Sequence, residues 1–365
     1  MRGGTPRATV VVCCYNGADT LPHVLQALAA QTVRNEIEVL VVDDGSADDT
    51  AAVAAAAGVR VVRHARNRGL AAARNTGWRA AAAPVVAYTD DDCRPRPDWV
   101  ERLLGALDAD PLLVACGGAV RGSRTDTFVL RYLRENNPLG PLEASLLEGG
   151  DGLARRLGLY LQRSAFPERR SGRRPVSSVV GASMAFRVEL LERLGGFDER
   201  FRFGGEEEDF CRRQVLGGEV PPLFVPDALV EHDFEPGLAD TLRRSRAYGR
   251  GNARMYFKHE GLSPTAYPLP VAVLAGVTAA ALLRRPALAV GALALPQALF
   301  ATWPVRAVRE RRPELLLYPY VQALQEAASD AGLASGLLSE RARFAAPRRG
   351  AAAGAARPAA ERSAA

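Results

Sequence analysis

The sequence predicts an α/β protein built on a mostly parallel sheet with helices on both faces, followed by a helical region of different character. Three observations carry this reading. From residue 9 to residue 120, short β-branched runs alternate with helical patterns. Three of those runs end in polar residues, Tyr15-Asn16, Asp43-Asp44 and Asp90-Asp91-Asp92, which parallel strands bring to one sheet edge. After His232 the pattern changes to an arginine-studded helix and two apolar runs.

Residues 9–14 read as the first strand, ended by Tyr15-Asn16-Gly17. A helix follows from about Asp19, with Pro22 in its first turn and Leu21, Val24, Leu25 and Leu28 at helical spacing. Residues 37–42 form the second strand, and an Ala-rich helix from Ala47 stops at Gly58. Residues 59–63 and 70–83 are the third strand and third helix. The apolar run 84–88 is a buried fourth strand, closed by Pro95 and Pro97 before a helix over 98–107 and a strand over 114–120. Residues 121–176 break the rhythm with Pro138, Pro141, Pro167 and many arginines, among them Arg169, Arg170, Arg173 and Arg174.

Composition narrows the partners. The net charge is +6, almost wholly from arginine, with Lys258 the only lysine; this favours anionic partners such as phosphates or an acidic membrane surface. The five cysteines show no C-x-x-C or zinc spacing, which points to a reduced, intracellular compartment. No secretory signal pattern opens the sequence. No G-x-G-x-x-G follows the first strand and no G-x-x-x-x-G-K-[ST] occurs, which disfavours a dinucleotide fold and excludes a P-loop. The carboxylates of Asp90, Asp91 and Asp92 repel one another at a strand end. A divalent cation, manganese or magnesium, bridging to substrate phosphates is the natural counter-charge.

In this order the chain carries Val10-Val11-Val12-Cys13-Cys14-Tyr15-Asn16, Val41-Val42-Asp43-Asp44-Gly45-Ser46, Asn67-Arg68-Gly69 with Ala73-Arg74-Asn75-Thr76-Gly77, and the Asp triplet. Gly181-Ala182-Ser183-Met184, Gly195-Gly196-Phe197-Asp198-Glu199 and Gly205-Glu206-Glu207-Glu208-Asp209 follow. These stretches resemble family 2 glycosyltransferases, inverting and metal-dependent enzymes of the GT-A fold. The resemblance implies a nucleotide-diphospho-sugar donor contacted by Cys13, Tyr15, Asn16, Asp44, Arg74, Asn75, Asp90 and Asp91, with Tyr15 stacking on the base. It implies a metal held by Asp92, Asp90 and His232. It places the general base in the acidic run, at Glu207 or, as second choice, Glu206; many relatives have Glu-Asp where this chain has Glu206-Glu207. A UDP-sugar is the preferred donor, and a glycan or lipid-linked hydroxyl in cell-envelope or polysaccharide synthesis the expected acceptor; nucleic acid is not expected. Two other readings stay open: a sugar nucleotidyltransferase, and a non-catalytic scaffold on a degenerate transferase fold.

The expected domains are the transferase at 6–235, a helical region at 236–344 and a disordered basic tail at 345–365. Within the second, residues 267–283 and 286–303 are apolar runs parted by Arg284-Arg285. Each is near the lower length limit for crossing a bilayer. A crossing hairpin, an interfacial hairpin and the buried helices of a soluble dimer all remain. Membrane association at the cytoplasmic face is the expectation, with a helix over 314–328 lying at the interface.

Overall fold

The computed structural model describes residues 5–143, 153–165, 171–260 and 262–344. Strand β1 (Ala8–Cys14) is buried at every residue, as a strand covered on both faces must be. Helix α1 (Leu21–Ala29) buries Leu21, Val24, Leu25 and Leu28, the stripe its spacing predicts. Strand β2 (Ile37–Asp43), helix α2 (Thr50–Ala56), strand β3 (Arg60–Arg63), helix α3 (Leu70–Ala80) and strand β4 (Val85–Asp90) continue the alternation. A short β5 (Cys93–Pro95) precedes α4 (Trp99–Ala109) and β6 (Ala115–Gly122). The irregular region holds α5 (Phe128–Glu135), β7 (Leu142–Glu143) and α6 (Leu153–Ala165). Then come β8 (Arg174–Ser178), β9 (Met184–Arg187), α7 (Val188–Leu194), α8 (Glu206–Leu216) and β10 (Leu223–His232).

The sheet order is β3-β2-β1-β4-β9-β6-β10-β8-β7, with β5 paired to β10. Strands β3, β2, β1 and β4 are parallel neighbours, as are β6 and β10. The expectation of a mostly parallel sheet is corrected to a mixed one: β5 and β8 pair antiparallel with β10, and β7 antiparallel with β8. Strand β9 runs antiparallel between β4 and β6, because the chain returns through residues 121–183 rather than through a simple helical crossover. Helices do cover both faces. Side chains of α1, α2 and α4 join Val10, Val12 and Cys14 in one core, and those of α3, α7 and α8 join Val11, Leu40 and Tyr88 in the other.

Beyond β10, the long α9 (Leu238–Lys258) is followed by a helical hairpin, α10 (Pro268–Leu282) and α11 (Pro286–Leu299), then α12 (Thr302–Arg309). The stretch expected as one helix over 314–328 is a 3-10 turn, Pro313–Leu317, leading into α13 (Tyr318–Ser339) and a short α14 (Arg341–Phe344). Helices α9 and α13 approach backbone to backbone: a Cβ on Gly249 would lie 1.9 Å from the Ser329 carbonyl oxygen, and one on Gly332 2.0 Å from that of Arg246. Among the described residues no single helix is long and apolar enough to cross a membrane; α11 and α12 meet at 75°. The basic tail at 345–365, with Arg169 and Arg170, lies outside the described residues.

Candidate active site

Strand register sets the site. Cys14 lies opposite Asp43 and Cys13 opposite Asp90, so the ends of β1, β2 and β4 share one edge. His232 arrives at the same edge because the end of β10 pairs with Cys93 on one side and Gly122 on the other. The Asp233 amide donates to the Asp92 carbonyl at 2.9 Å and fixes that meeting. One ligand atom each from Asp90, Asp92, Cys93 and His232 lies within 4.8 Å of the others. His232 Nε2 is 3.4 Å from Asp92 Oδ2, and its ring stacks on Phe234 at 4.3 Å. Burial, and then the charge of Arg244, push the His232 imidazole down to about 3, leaving it neutral and able to ligate. Burial, then repulsion from Asp90 and Asp91, push Asp92 up to about 8. Two carboxylates and a neutral imidazole suit manganese or magnesium, and a divalent charge would relieve that repulsion.

Arg74, on the second turn of α3, is buried and reaches three carboxylates, two on α8 and one at the end of β4. Its Nη1 donates to Glu206 Oε1 at 2.9 Å and lies 3.8 Å from Glu207 Oε2; its Nη2 is 4.0 Å from Asp90 Oδ1. A side chain at position 181 is excluded by this guanidinium, since a Cβ on Gly181 would lie 2.0 Å from Arg74 Nη2. Glu206 is buried behind Arg74, and burial followed by the Glu207 charge raises its carboxyl to about 8. Glu207 lies on the open side, with 24% of its side chain exposed and Oε2 lacking a hydrogen-bond donor. Both stand in the first turn of α8 with Glu208 and Asp209, where negative charge meets the positive helix end. Asp209 is a bracket: Lys258, His259 and Arg213 all bind it, at 2.6, 2.8 and 3.0 Å.

The structure does not bring every expected residue into the cleft. Tyr15 stands at the strand end as an exposed residue, at 52%, with an aromatic side chain that can stack. Asn16 instead ties two loops together, donating through its amide N–H to Ser46 Oγ and accepting from Ala47 N–H through Oδ1, both at 2.9 Å. Asp44 accepts from His64 at 2.6 Å and from the amides of Arg68 and Gly69 at 2.9 and 2.8 Å. Asn75 faces the core: it bonds both backbone groups of Phe197 and also Glu199 and Trp78. Asp91 turns under the β1–α1 loop to Cys14 and Thr20, and Cys13 is buried in the sheet. Local motif order puts these residues near the edge, but only packing decides which way each side chain points. Arg244 on α9 was the residue the motifs did not mark. It lies over the Phe234 ring at 5.4 Å, and its charge favours the ionised forms of Asp90 and Asp92. The arginine density of α9 was its only signal.

Glu207 and Glu208 also line a cavity of about 1950 Å³, formed with α6, α9, α10, α12 and α13. Asp90 and Asp92 lie outside its lining. Glu207 therefore stands between the acidic cluster and this second space.

A mixed sheet with carboxylates at its strand ends and an acidic helix start across the cleft is a GT-A glycosyltransferase fold. Residues 9–195 match the model of glycosyl transferase family 2, and the chain belongs to that family. Residues 159–305 also match glycosyl transferase family group 2. Among its relatives is the pre-mycofactocin glycosyltransferase of Mycobacterium tuberculosis, 32% identical over 256 residues, which are 69% of this chain and 48% of that protein. The chain thus spans about half of that relative's length. The glucosyl-dolichyl phosphate glucuronosyltransferase of Haloferax volcanii is 27% identical over 198 residues, 53% of this chain and 56% of its own. The solved mannosyltransferase of Pyrobaculum calidifontis shares the fold, with a TM-score of 0.54 and 23% identity over 91% of this chain and 87% of its own.

Proposed function

We propose that the protein is an inverting, metal-dependent glycosyltransferase that moves a sugar from a nucleotide-diphospho-sugar, with UDP-sugar the preferred donor, to an acceptor hydroxyl in glycan synthesis at the cytoplasmic face of a membrane. The observation that carries this is the placement of Arg74 between two acidic groups of different character: Asp90 of the metal-fit cluster and Glu207 of the open cavity, at 4.0 and 3.8 Å. Asp90, Asp92 and His232 would hold the cation, which supplies charge neutralisation to the departing diphosphate. Tyr15, exposed at the strand end, offers its ring to the base. Glu207 accepts the proton of the acceptor hydroxyl. The hydroxyl oxygen bonds to the anomeric carbon as the anomeric C–O bond to the diphosphate breaks, and that bond's electron pair leaves with the nucleoside diphosphate. One displacement inverts the configuration. Arg74 and Arg244 oppose part of the burial and mutual repulsion that push the carboxyls of Asp90, Asp92 and Glu206 towards protonation.

The relatives' names support the class: one is a pre-mycofactocin glycosyltransferase, and the Pyrobaculum mannosyltransferase was solved with GDP-Man and Mn2+. Calorimetric titration of UDP, GDP and dTDP, with and without manganese, tests the reading. Manganese-dependent binding of one of them is expected; binding of none moves the chain to the scaffold reading.

A further inference from the structure

The cavity beside Glu207 carries features that donor binding does not use. At about 1950 Å³ it exceeds the ~300–1,000 Å³ of ordinary small-molecule sites. Two adjacent arginines of α8 behave differently around it. Arg213 spends its guanidinium on Asp209 and on the carbonyls of Leu194 and Gly196. Arg212 lines the cavity, and its Nε is buried without a hydrogen-bond partner. The Glu208 carboxylate, one turn earlier on α8 and also on the cavity wall, feels the Arg212 charge, but no described carboxylate closes a salt bridge with it. A permanent cation with an unmet buried donor is costly unless an anion completes it.

Another part of the wall is apolar, with Val271 and Ala275 from α10 and Trp303 and Val305 from α12. Val271 and Val305 are 64% and 65% exposed, so they belong to the outer apolar surface as well, together with Leu274 and Leu293. The cavity therefore reaches the exposed faces of α10 and α12.

We infer that this cavity takes an amphiphilic acceptor: its hydroxyl meets Glu207, its anionic group (phosphate or carboxylate) sits on Arg212, and its hydrocarbon chain leaves past Val271 and Val305. The inference rests on the transferase reading above. Arg212 follows Glu207 by five positions on α8, ~7.5 Å along the axis and ~140° around it, and both side chains line the same cavity. A neutral glycan leaves the guanidinium unpaired and has no use for an apolar exit.

The test titrates decyl phosphate, decanoate, decyl glucoside, inorganic phosphate and maltotriose, each below any micelle threshold, into the full chain, read by calorimetry. Decyl phosphate or decanoate is expected to bind at least ~10-fold more tightly than decyl glucoside or inorganic phosphate, and whichever is tighter identifies the anion. Arg212→Gln should erase the anion preference while decyl glucoside binding stays, and Ala275→Trp should weaken every decyl probe. Nucleotide titration of both variants reports that the fold is intact and separates failure here from failure of the transferase reading. Equal binding of decyl phosphate and decyl glucoside, an unaltered Arg212→Gln, or preferred binding of maltotriose overturns the proposal.

Discussion

Glu206 and Glu207 are neighbours in the chain, yet one is sealed behind Arg74 and the other faces the cavity. Glu207→Gln is therefore expected to lower turnover by ~10²–10⁴-fold while nucleotide affinity stays within about twofold; steady-state kinetics beside calorimetry checks it. If Glu206→Gln alone gives that pattern, the base is misplaced by one residue. Asp92→Asn should weaken nucleotide binding in manganese by about 10-fold or more and leave the metal-free affinity unchanged. Glu326 gives a pH prediction. It is buried on α13, accepts the Tyr160 hydroxyl at 2.8 Å, and burial raises its carboxyl to about 7. An unfolded glutamate ionises near ~4.3, so between these values the folded chain keeps a proton that the unfolded chain has lost. Stability from this group is full below ~4 and declines as pH rises towards 7. Glu326→Gln, which still accepts from Tyr160, should match the native protein at pH 4 and melt a few degrees higher at pH 8. An equal difference at both pH values would contradict the assignment. The sequence marked both glutamates of the acidic run, because an acidic helix start is a local pattern. It did not mark Glu326, whose burial depends on α6 and α13 meeting.

At the scale of elements, α9 is the piece that the motifs described least, yet it brings a charge to the site. It carries Arg244, and it is held by α13 through glycines that admit no side chain. Gly332→Val should lower the melting temperature by several degrees, on the order of 3 kcal/mol, and weaken nucleotide binding as Arg244 shifts. Gly291→Ala, with no heavy atom within 4 Å of its added Cβ, is the control expected to be silent. Equal melting of both variants would show that the helix contact is unimportant. The strands of residues 8–90 were legible because β-branched runs and turn residues are local signals; β3 and α3 differ from expectation only at their ends. Strand β9 was invisible as an antiparallel partner, since pairing direction depends on where a long insertion returns.

For the molecule as a whole, the hairpin leaves Leu274, Leu282, Val290 and Leu293 exposed, at 69, 79, 68 and 52%. Exposed leucine and valine at this density mark a membrane or partner surface. The protein is expected to float with vesicles containing anionic lipid, and Leu274→Asp with Leu293→Asp should abolish flotation while nucleotide binding persists. Wild-type protein that stays at the bottom of the gradient would remove membrane association from the reading. The sequence by itself determined the α/β alternation, the family motifs and the carboxylates at the strand ends, because propensity, periodicity and motif spacing all act over a few residues. Only the tertiary structure decided that Asn75 and Asp91 turn inward, that Arg74 spans the carboxylates of β4 and α8, and that Glu207 opens onto a cavity shared with α10 and α12. Those outcomes depend on contacts between residues far apart in the chain, where packing and the pairing of buried charge set each side chain's direction.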